Sequence, residues 1–249
     1  AVAFVSSAVR VARALGVPTL VVGLTVVSLG TSAPEFAVTV DAALTGASAI
    51  SLGNVVGSNV VNLGFILGAT AIVRALPVSS ALVRRDSLLM VGTVLALLVV
   101  LRDLAVTRTE GAVLLVGLCV YLLVLARNDG AGASVPATGR PMRARDPPLA
   151  LAGLGLIVAS AHGLVPGAVG IATTAGLSEW VVGTTVVALG TSAPELATSL
   201  VAARRGRTDL AAGNLVGSCI FNLLGVLGVA TVIRPLSVTG TAVEGTLWL

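Results

Sequence analysis

Charge is what this 249-residue chain has least of. Only 10% of its residues are charged, where a soluble domain carries about a quarter. Lysine is absent, and all fifteen basic residues are arginine. Histidine occurs once, as His162, with no second histidine or cysteine near it, so it reads as a packing or hydrogen-bonding residue. The two cysteines, Cys119 and Cys219, fall inside apolar runs. They read as small buried hydrophobes, and no disulfide framework is implied. These shortages exclude a soluble enzyme domain. What is present is a series of apolar runs of about 20 residues, each long enough to span a bilayer core of about 30 Å. The arginines sit in the short gaps between the runs, as topology determinants do, and not in a nucleic-acid-binding patch.

The chain contains one stretch twice. Residues 23–35 read GLTVVSLGTSAPE and residues 183–195 read GTTVVALGTSAPE. At an offset of 160 the match runs without a gap from Val21/Val181 to Arg74/Arg234, with 27 of 54 positions identical. It pairs Gly53-Asn54 with Gly213-Asn214, Gly57-Ser58 with Gly217-Ser218, and Asn62 with Asn222. Such a repeat sets the architecture before any single residue does.

In chain order, residues 1–15 read as the end of a first helix. A second runs from Pro18 to about Leu44 and is interrupted at Ser32-Ala33-Pro34, because proline removes a backbone hydrogen bond. Helices three to five cover about 48–73, 87–101 and 111–126. Residues 127–148, rich in Gly, Pro, Ala and Arg, read as a flexible loop. Helices six to eight (about 149–173, 178–203 and 209–233) replay the first three, and a ninth begins at Thr241. The expected fold is an all-α polytopic membrane protein with five helices per repeat. Here it has about eight spans and the start of a ninth, with part of helix one and about two C-terminal helices beyond the ends. Its units are a first repeat (1–126), the loop (127–148) and a second repeat (149–249). An odd number of spans per repeat inverts the second copy, as in many secondary transporters. The arginines agree: twelve fall on one side, and only Arg102, Arg108 and Arg234 on the other. Loop 127–148 is therefore expected to be cytoplasmic, in a plasma-membrane protein.

The repeats carry the chemistry. Glu35 and Glu195 are repeat mates deep in apolar runs, where a charge costs at least about 2.5–3.5 kcal/mol and usually faces a partner or a cavity. Inversion brings both to the bilayer midplane, where two like charges repel unless they share a cation. Around them stand the hydroxyls of Thr31, Ser32, Thr191 and Ser192, and carbonyls near Gly30-Thr31 and Gly190-Thr191 freed by Pro34 and Pro194. Ser58 with Asn62, and Ser218 with Asn222, lie at i, i+4 spacing on one helix face. This all-oxygen set suits calcium or sodium, not zinc or copper. The bland alternative for the Ser, Thr and Asn residues is hydrogen bonding between membrane helices. Gly53, Gly57, Gly213 and Gly217 would let those helices approach closely. Asp41 reads as a residue near the outer mouth and Glu179 as an N-terminal helix residue.

The paired GTSAPE motifs, with GNVVGSNVVN (53–62) and GNLVGSCIFN (213–222), resemble the two alpha repeats of the calcium/cation antiporter superfamily, and especially its prokaryotic sodium/calcium-exchanger branch. The resemblance implies a ten-helix antiporter exchanging Ca²⁺ for Na⁺, with helices two, three, seven and eight around the ions. It implies Glu35 and Glu195 as shared carboxylates, and Thr31 and Thr191 as calcium-binding carbonyls. It further implies Ser32, Ser58, Ser192 and Ser218 as sodium-site hydroxyls, Ser28 and Ala188 as sodium-site carbonyls, and Asn62 and Asn222 at the centre. Asn222 stands where potassium-dependent relatives have aspartate, which argues against potassium co-transport. The GNAVE-type signature of the proton/calcium branch is absent, which disfavours proton coupling.

On this reading the chain is not an enzyme and needs no cofactor. Its partners are Ca²⁺, Na⁺ (or H⁺) and the bilayer, with no nucleic acid and no obligate protein partner. The rivals are a proton-coupled divalent exchanger, a passive cation channel with the same ligands, and an intramembrane hydrolase using Ser32 or Ser192 with His162. GTSAPE lacks the serine-hydrolase elbow, which weakens the last.

Overall fold

The structure is a computed structural model describing residues 28–76, 82–130, 143–149, 174–204, 206 and 208–247, with single residues at 152, 156, 167, 170 and 171. The expectations for residues 1–15, the opening of helix two, most of helix six, His162 and loop residues 131–142 lie outside the described residues.

The described residues are almost all helical. Helix two appears as α1 (Ser28–Thr31) and α2 (Ala33–Thr45), broken at Ser32. Helix three appears as α3 (Ser48–Val60) and α4 (Leu67–Val73), joined by a π-helical segment Val61–Ile66. A π turn (Leu82–Asp86) leads into α5 (Ser87–Val100), and α6 is Arg108–Gly130. In the second repeat α7 (Glu179–Val182), a π segment (Gly183–Val187), α8 (Ala188–Thr191) and α9 (Ala193–Arg204) make helix seven. Helix eight is α10 (Thr208–Ile220), a π segment (Phe221–Val226) and α11 (Leu227–Ile233). The ninth helix begins as α12 (Gly240–Thr246).

Among the described residues three stretches are long and apolar enough to cross a membrane: Ser48–Val73, Arg108–Arg127 and Ala211–Ile233. The pair Glu179–Thr191 and Ala193–Arg204, bent by 44°, would make a fourth if taken as one span.

Local chemistry explains the boundaries. Pro34 sits in the first turn of α2, where its missing N–H costs nothing. Gly46 (φ 90°) ends that helix: Ala47 N–H bonds Ala42 O at 2.8 Å and Gly46 N–H bonds Ala43 O at 3.1 Å. Glu179 lies in the first turn of α7 as expected, behind an N-cap in which Ser178 Oγ accepts from Val181 N–H.

Two features escape sequence patterning. The π segments of helices three and eight start at Val61 and Phe221, 160 residues apart, one residue before Asn62 and Asn222. In addition, β1 (Ala105–Val106) pairs antiparallel with β2 (Leu236–Ser237), tying the turn after α5 to the segment after α11.

The core lies between the repeats. Leu52, Val55 and Val56 of α3 pack with Leu223, Val226 and Leu227 of helix eight. Glycine brings α3 onto helix seven: a Cβ on Gly57 would lie 2.5 Å from Thr184 Cα, and one on Gly53 would lie 3.3 Å from Gly183 Cα. This is the close approach expected of Gly53 and Gly57. For Gly213 and Gly217 the mates of those neighbours, residues 23 and 24, lie outside the described residues.

One sequence expectation is corrected. Cys219 is buried, but Cys119 is exposed, because α6 turns that face outward while Tyr121 and Leu125 pack against Ala212, Val216 and Leu224. An apolar run marks a span without saying which of its faces meets protein.

Candidate ion-binding site

Ser32 and Ser192 adopt the same conformation, φ −79°, ψ 7° and φ −81°, ψ 3°. Each breaks its helix one residue before Ala-Pro-Glu, so each glutamate lands in the first turn of a new helix. A helix N-terminus favours a carboxylate there. Pro34 and Pro194 have no N–H to offer the carbonyls of Gly30 and Gly190 four residues back.

The two glutamates are bound crosswise. Ser32 Oγ donates to Glu195 Oε1 at 3.1 Å, and Ser192 Oγ donates to Glu35 Oε1 at 3.0 Å. Both carboxylates are fully buried. Their second oxygens, Glu35 Oε2 and Glu195 Oε2, have no hydrogen-bond partner.

The threonines form the next layer, again crosswise. Thr191 Oγ1 donates to Asn54 Oδ1 (3.0 Å) and approaches Ser58 Oγ (3.3 Å). Thr31 Oγ1 donates to Asn214 Oδ1 (3.3 Å) and approaches Ser218 Oγ (3.5 Å). The carbonyls of Ser28 and Ala188 accept from their own threonines at 3.2 Å, and from Ser32 N–H (2.8 Å) and Ser192 N–H (3.0 Å) respectively.

Asn62 and Asn222 are the second residues of their π segments, and both are fully buried. Asn222 Nδ2 donates to Asn59 Oδ1 at 3.3 Å, and Asn59 Nδ2 donates to the Cys219 carbonyl at 3.3 Å. The mate of Asn59 is Cys219, so the bond from Asn222 to Asn59 has no amide counterpart for Asn62. Asn62 accordingly has neither side-chain atom hydrogen-bonded, and Asn222 Oδ1 is unpaired.

All twelve residues expected at the site are buried: Ser28, Thr31, Ser32, Glu35, Ser58, Asn62, Ala188, Thr191, Ser192, Glu195, Ser218 and Asn222. Hydrogen bonds join ten of them across the repeats, and Asn62 and Asn222 stand apart from that network. Among the described residues no group of three or more His, Cys, Asp or Glu assembles that could hold a metal ion. The centre is thus two carboxylates among neutral oxygens. Four residues were missed as site residues. Asn54 and Asn214 anchor the threonines, and Asn54 Nδ2 also donates to Glu35 O (3.3 Å) and Thr39 Oγ1 (3.0 Å). Asn214 Nδ2 reaches Ser199 Oγ at 3.3 Å. Asn59 and Cys219 join the halves at the centre. An asparagine identical in both copies of an apolar helix was the available signal for Asn54 and Asn214; Asn59, whose mate is cysteine, gave none.

A family model described as "Sodium/calcium exchanger protein" matches residues 1–127 and 147–249. The chain belongs to that family. Among relatives of this sodium/calcium exchanger family member is the putative antiporter CaxA of Alkalimonas amylolytica, 39% identical over 93% of this chain and 76% of its own. Another is the sodium/calcium exchanger MaX1 of Methanosarcina acetivorans, 30% identical over 94% of this chain and 79% of its own. Among solved structures, the sodium-calcium exchanger NCX_Mj soaked with Na⁺ and Sr²⁺ superposes with a TM-score of 0.71. It is 31% identical, covering 99% of this chain and 82% of that one. As a family member the chain is a membrane protein of the cation-antiporter class, a transporter and not an enzyme.

Proposed function

We propose that the chain exchanges Ca²⁺ for Na⁺ by alternating access at a midplane site built from Glu35 and Glu195. One observation carries this reading. The crosswise Ser–Glu pairs leave Glu35 Oε2 and Glu195 Oε2 unpaired and buried, and the Oδ1 atoms of the buried Asn62 and Asn222 are unpaired as well. Unpaired buried oxygens are costly, and a hard cation takes such ligands. Two carboxylates balance one Ca²⁺. The carbonyls of Thr31 and Thr191 would complete its shell, and sodium ions can replace it at the same carboxylates with the hydroxyls of Ser32, Ser58, Ser192 and Ser218 and the carbonyls of Ser28 and Ala188. An empty site would carry two charges through hydrocarbon, so only a loaded site changes sides. That makes transport an exchange.

The ends of the helices support inverted repeats. Helix α2 ends beside the start of the Ser48–Val73 span, at Gly46, whereas its mate α9 ends at Gly206, beside Arg74 at the far end of that span. Twenty-six residues separate the two ends by about 39 Å, a bilayer's width. With this topology the units are 1–126 and 149–249, joined by a cytoplasmic loop 127–148 in the plasma membrane, and Ca²⁺ and Na⁺ are substrates.

The test is ⁴⁵Ca²⁺ uptake into proteoliposomes of the protein, driven by internal sodium, internal potassium or a pH gradient alone. Uptake is expected only with internal sodium. Uptake driven by the pH gradient alone would make protons the counter-ion, and uptake with no counter-ion would leave a channel. Within the exchanger, Ser32→Ala removes the donor to Glu195 Oε1. A bond to a charged group is worth about 1.5–3 kcal/mol. Ser32→Ala is therefore expected to raise the sodium concentration for half-maximal exchange by about tenfold or more, measured as sodium dependence of uptake.

A further inference from the structure

Arg74 and Arg234 are repeat mates that the exchange reading does not use. Each follows the last turn of its helix in extended conformation (φ −159°, ψ 134° and φ −143°, ψ 122°). Their N–H groups bond Thr70 O at 3.0 Å and Ala230 O at 2.9 Å. Arg234 reaches into the other repeat, where its Nη1 donates to Leu44 O at 2.8 Å. Its guanidinium lies 3.3–3.5 Å from where Gly46 would carry a Cβ. Arg74 is placed correspondingly, its guanidinium 3.5–3.6 Å from the Cβ position of Gly206, the mate of Gly46 and also a left-handed glycine (φ 75°). At both places glycine admits the left-handed turn and leaves room for the guanidinium.

Helix C-termini end in unpaired carbonyls and partial negative charge, which a cation satisfies. The helix whose last turn Arg234 caps, α2, carries Glu35 in its first turn, and α9, whose end Arg74 meets, carries Glu195. A helix of 13 residues is a strut of about 20 Å, so fixing its far end fixes the height and rotation of its glutamate.

We propose that Arg74 and Arg234 are paired positioning residues for ion exchange, each holding the far end of the helix that presents the opposite repeat's glutamate to the ions. Arg108 extends the device on the Arg234 side, its Nη2 donating to Ile233 O (3.3 Å) at the end of α11. Two of the three arginines that run against the positive-inside bias are therefore helix caps. The inference rests on the exchange reading.

The test uses the protein with Arg234→Gln, Arg234→Lys and Arg74→Gln, and with Arg102→Gln as a control that removes an exposed arginine charge. Sodium-driven ⁴⁵Ca²⁺ uptake gives KM and Vmax, and Ca²⁺-dependent thermal stabilisation in detergent reports binding without transport. In Arg234→Gln and in Arg74→Gln the KM for Ca²⁺ is expected to rise about tenfold with little change in Vmax. The Ca²⁺ needed for half-maximal stabilisation should rise in parallel. Arg234→Lys should recover much of the loss, and Arg102→Gln should match the wild type. Unchanged KM in both glutamine variants overturns the proposal, as does a rise that Arg102→Gln reproduces. If Arg234→Gln does not fold, Arg74→Gln decides at the other end. A wild type neither stabilised by Ca²⁺ nor active in uptake sinks the exchange reading itself, which a failure confined to the arginines would not.

Discussion

Sodium-driven Ca²⁺ uptake is expected to fall at least a hundredfold in Glu195→Gln, and by as much in Glu35→Gln. Glutamine keeps the size of the side chain and an oxygen able to accept from Ser32 or Ser192. It removes the charge and puts an amide nitrogen where the second, unpaired oxygen stands. Losing one of two carboxylates leaves half of the ion's charge unbalanced in a buried site, and a hundredfold corresponds to about 2.8 kcal/mol, within the range of a lost charge-assisted contact. Because the two carboxylates neutralise one ion together, the double variant should be little worse than either single one. Without divalent ions the glutamine variants should be at least as stable as the wild type, since a buried like-charge pair has been relieved. Uptake and thermal unfolding measured side by side check both halves. Near-normal uptake in either variant would remove the paired-carboxylate site. A collapse of stability in the absence of Ca²⁺ would mean that the glutamates hold the fold and not the ion.

That pair was legible because an acid in an apolar run is rare and a duplicated one rarer. The break at Ser32 and the start of α2 were legible from Pro34, and the close approach of Gly53 and Gly57 from their spacing. What escaped depends on neighbours distant in sequence. Asn54 and Thr191 are 137 residues apart, and nothing local to either says that one accepts from the other. Asn59 meets Asn222 through an exchange that Cys219 leaves incomplete, so a repeat that is symmetric in sequence is asymmetric at its centre. The π segments depend on packing around Asn62 and Asn222, since their residues would suit an α-helix equally. Counting arginines by side gave a topology. It could not tell an arginine waiting at the membrane surface from Arg234, whose guanidinium bonds the end of another helix. Cys119 failed for a related reason: hydropathy reports that a helix is in the membrane, and its protein-facing stripe is set by the partner.

The largest structural effect is expected from Gly57→Leu. Gly57 packs backbone to backbone on helix seven, where a Cβ would meet the Cα, C and O atoms of Thr184 at 2.7 Å or less. No flexible side-chain end is available to move aside, so the helices themselves must separate. Overpacking a core typically costs 1–3 kcal/mol, and an insertion against rigid backbone sits at or above about 3 kcal/mol. For a chain of this size that lowers the unfolding midpoint on the order of 10 °C. The same helix carries Ser58 one residue on, and helix seven carries Thr191, which is 3.3 Å from it. Spreading the two helices therefore parts the network, and Ca²⁺ should protect the variant less than it protects the wild type. Gly92→Ala is the matched control: a Cβ there meets nothing within 4 Å, and alanine favours the helix by about 1 kcal/mol. Thermal unfolding of both variants with and without Ca²⁺ separates the outcomes. A Gly57→Leu protein that melts and responds to Ca²⁺ like Gly92→Ala would show that helices three and seven do not depend on this glycine contact to build the site.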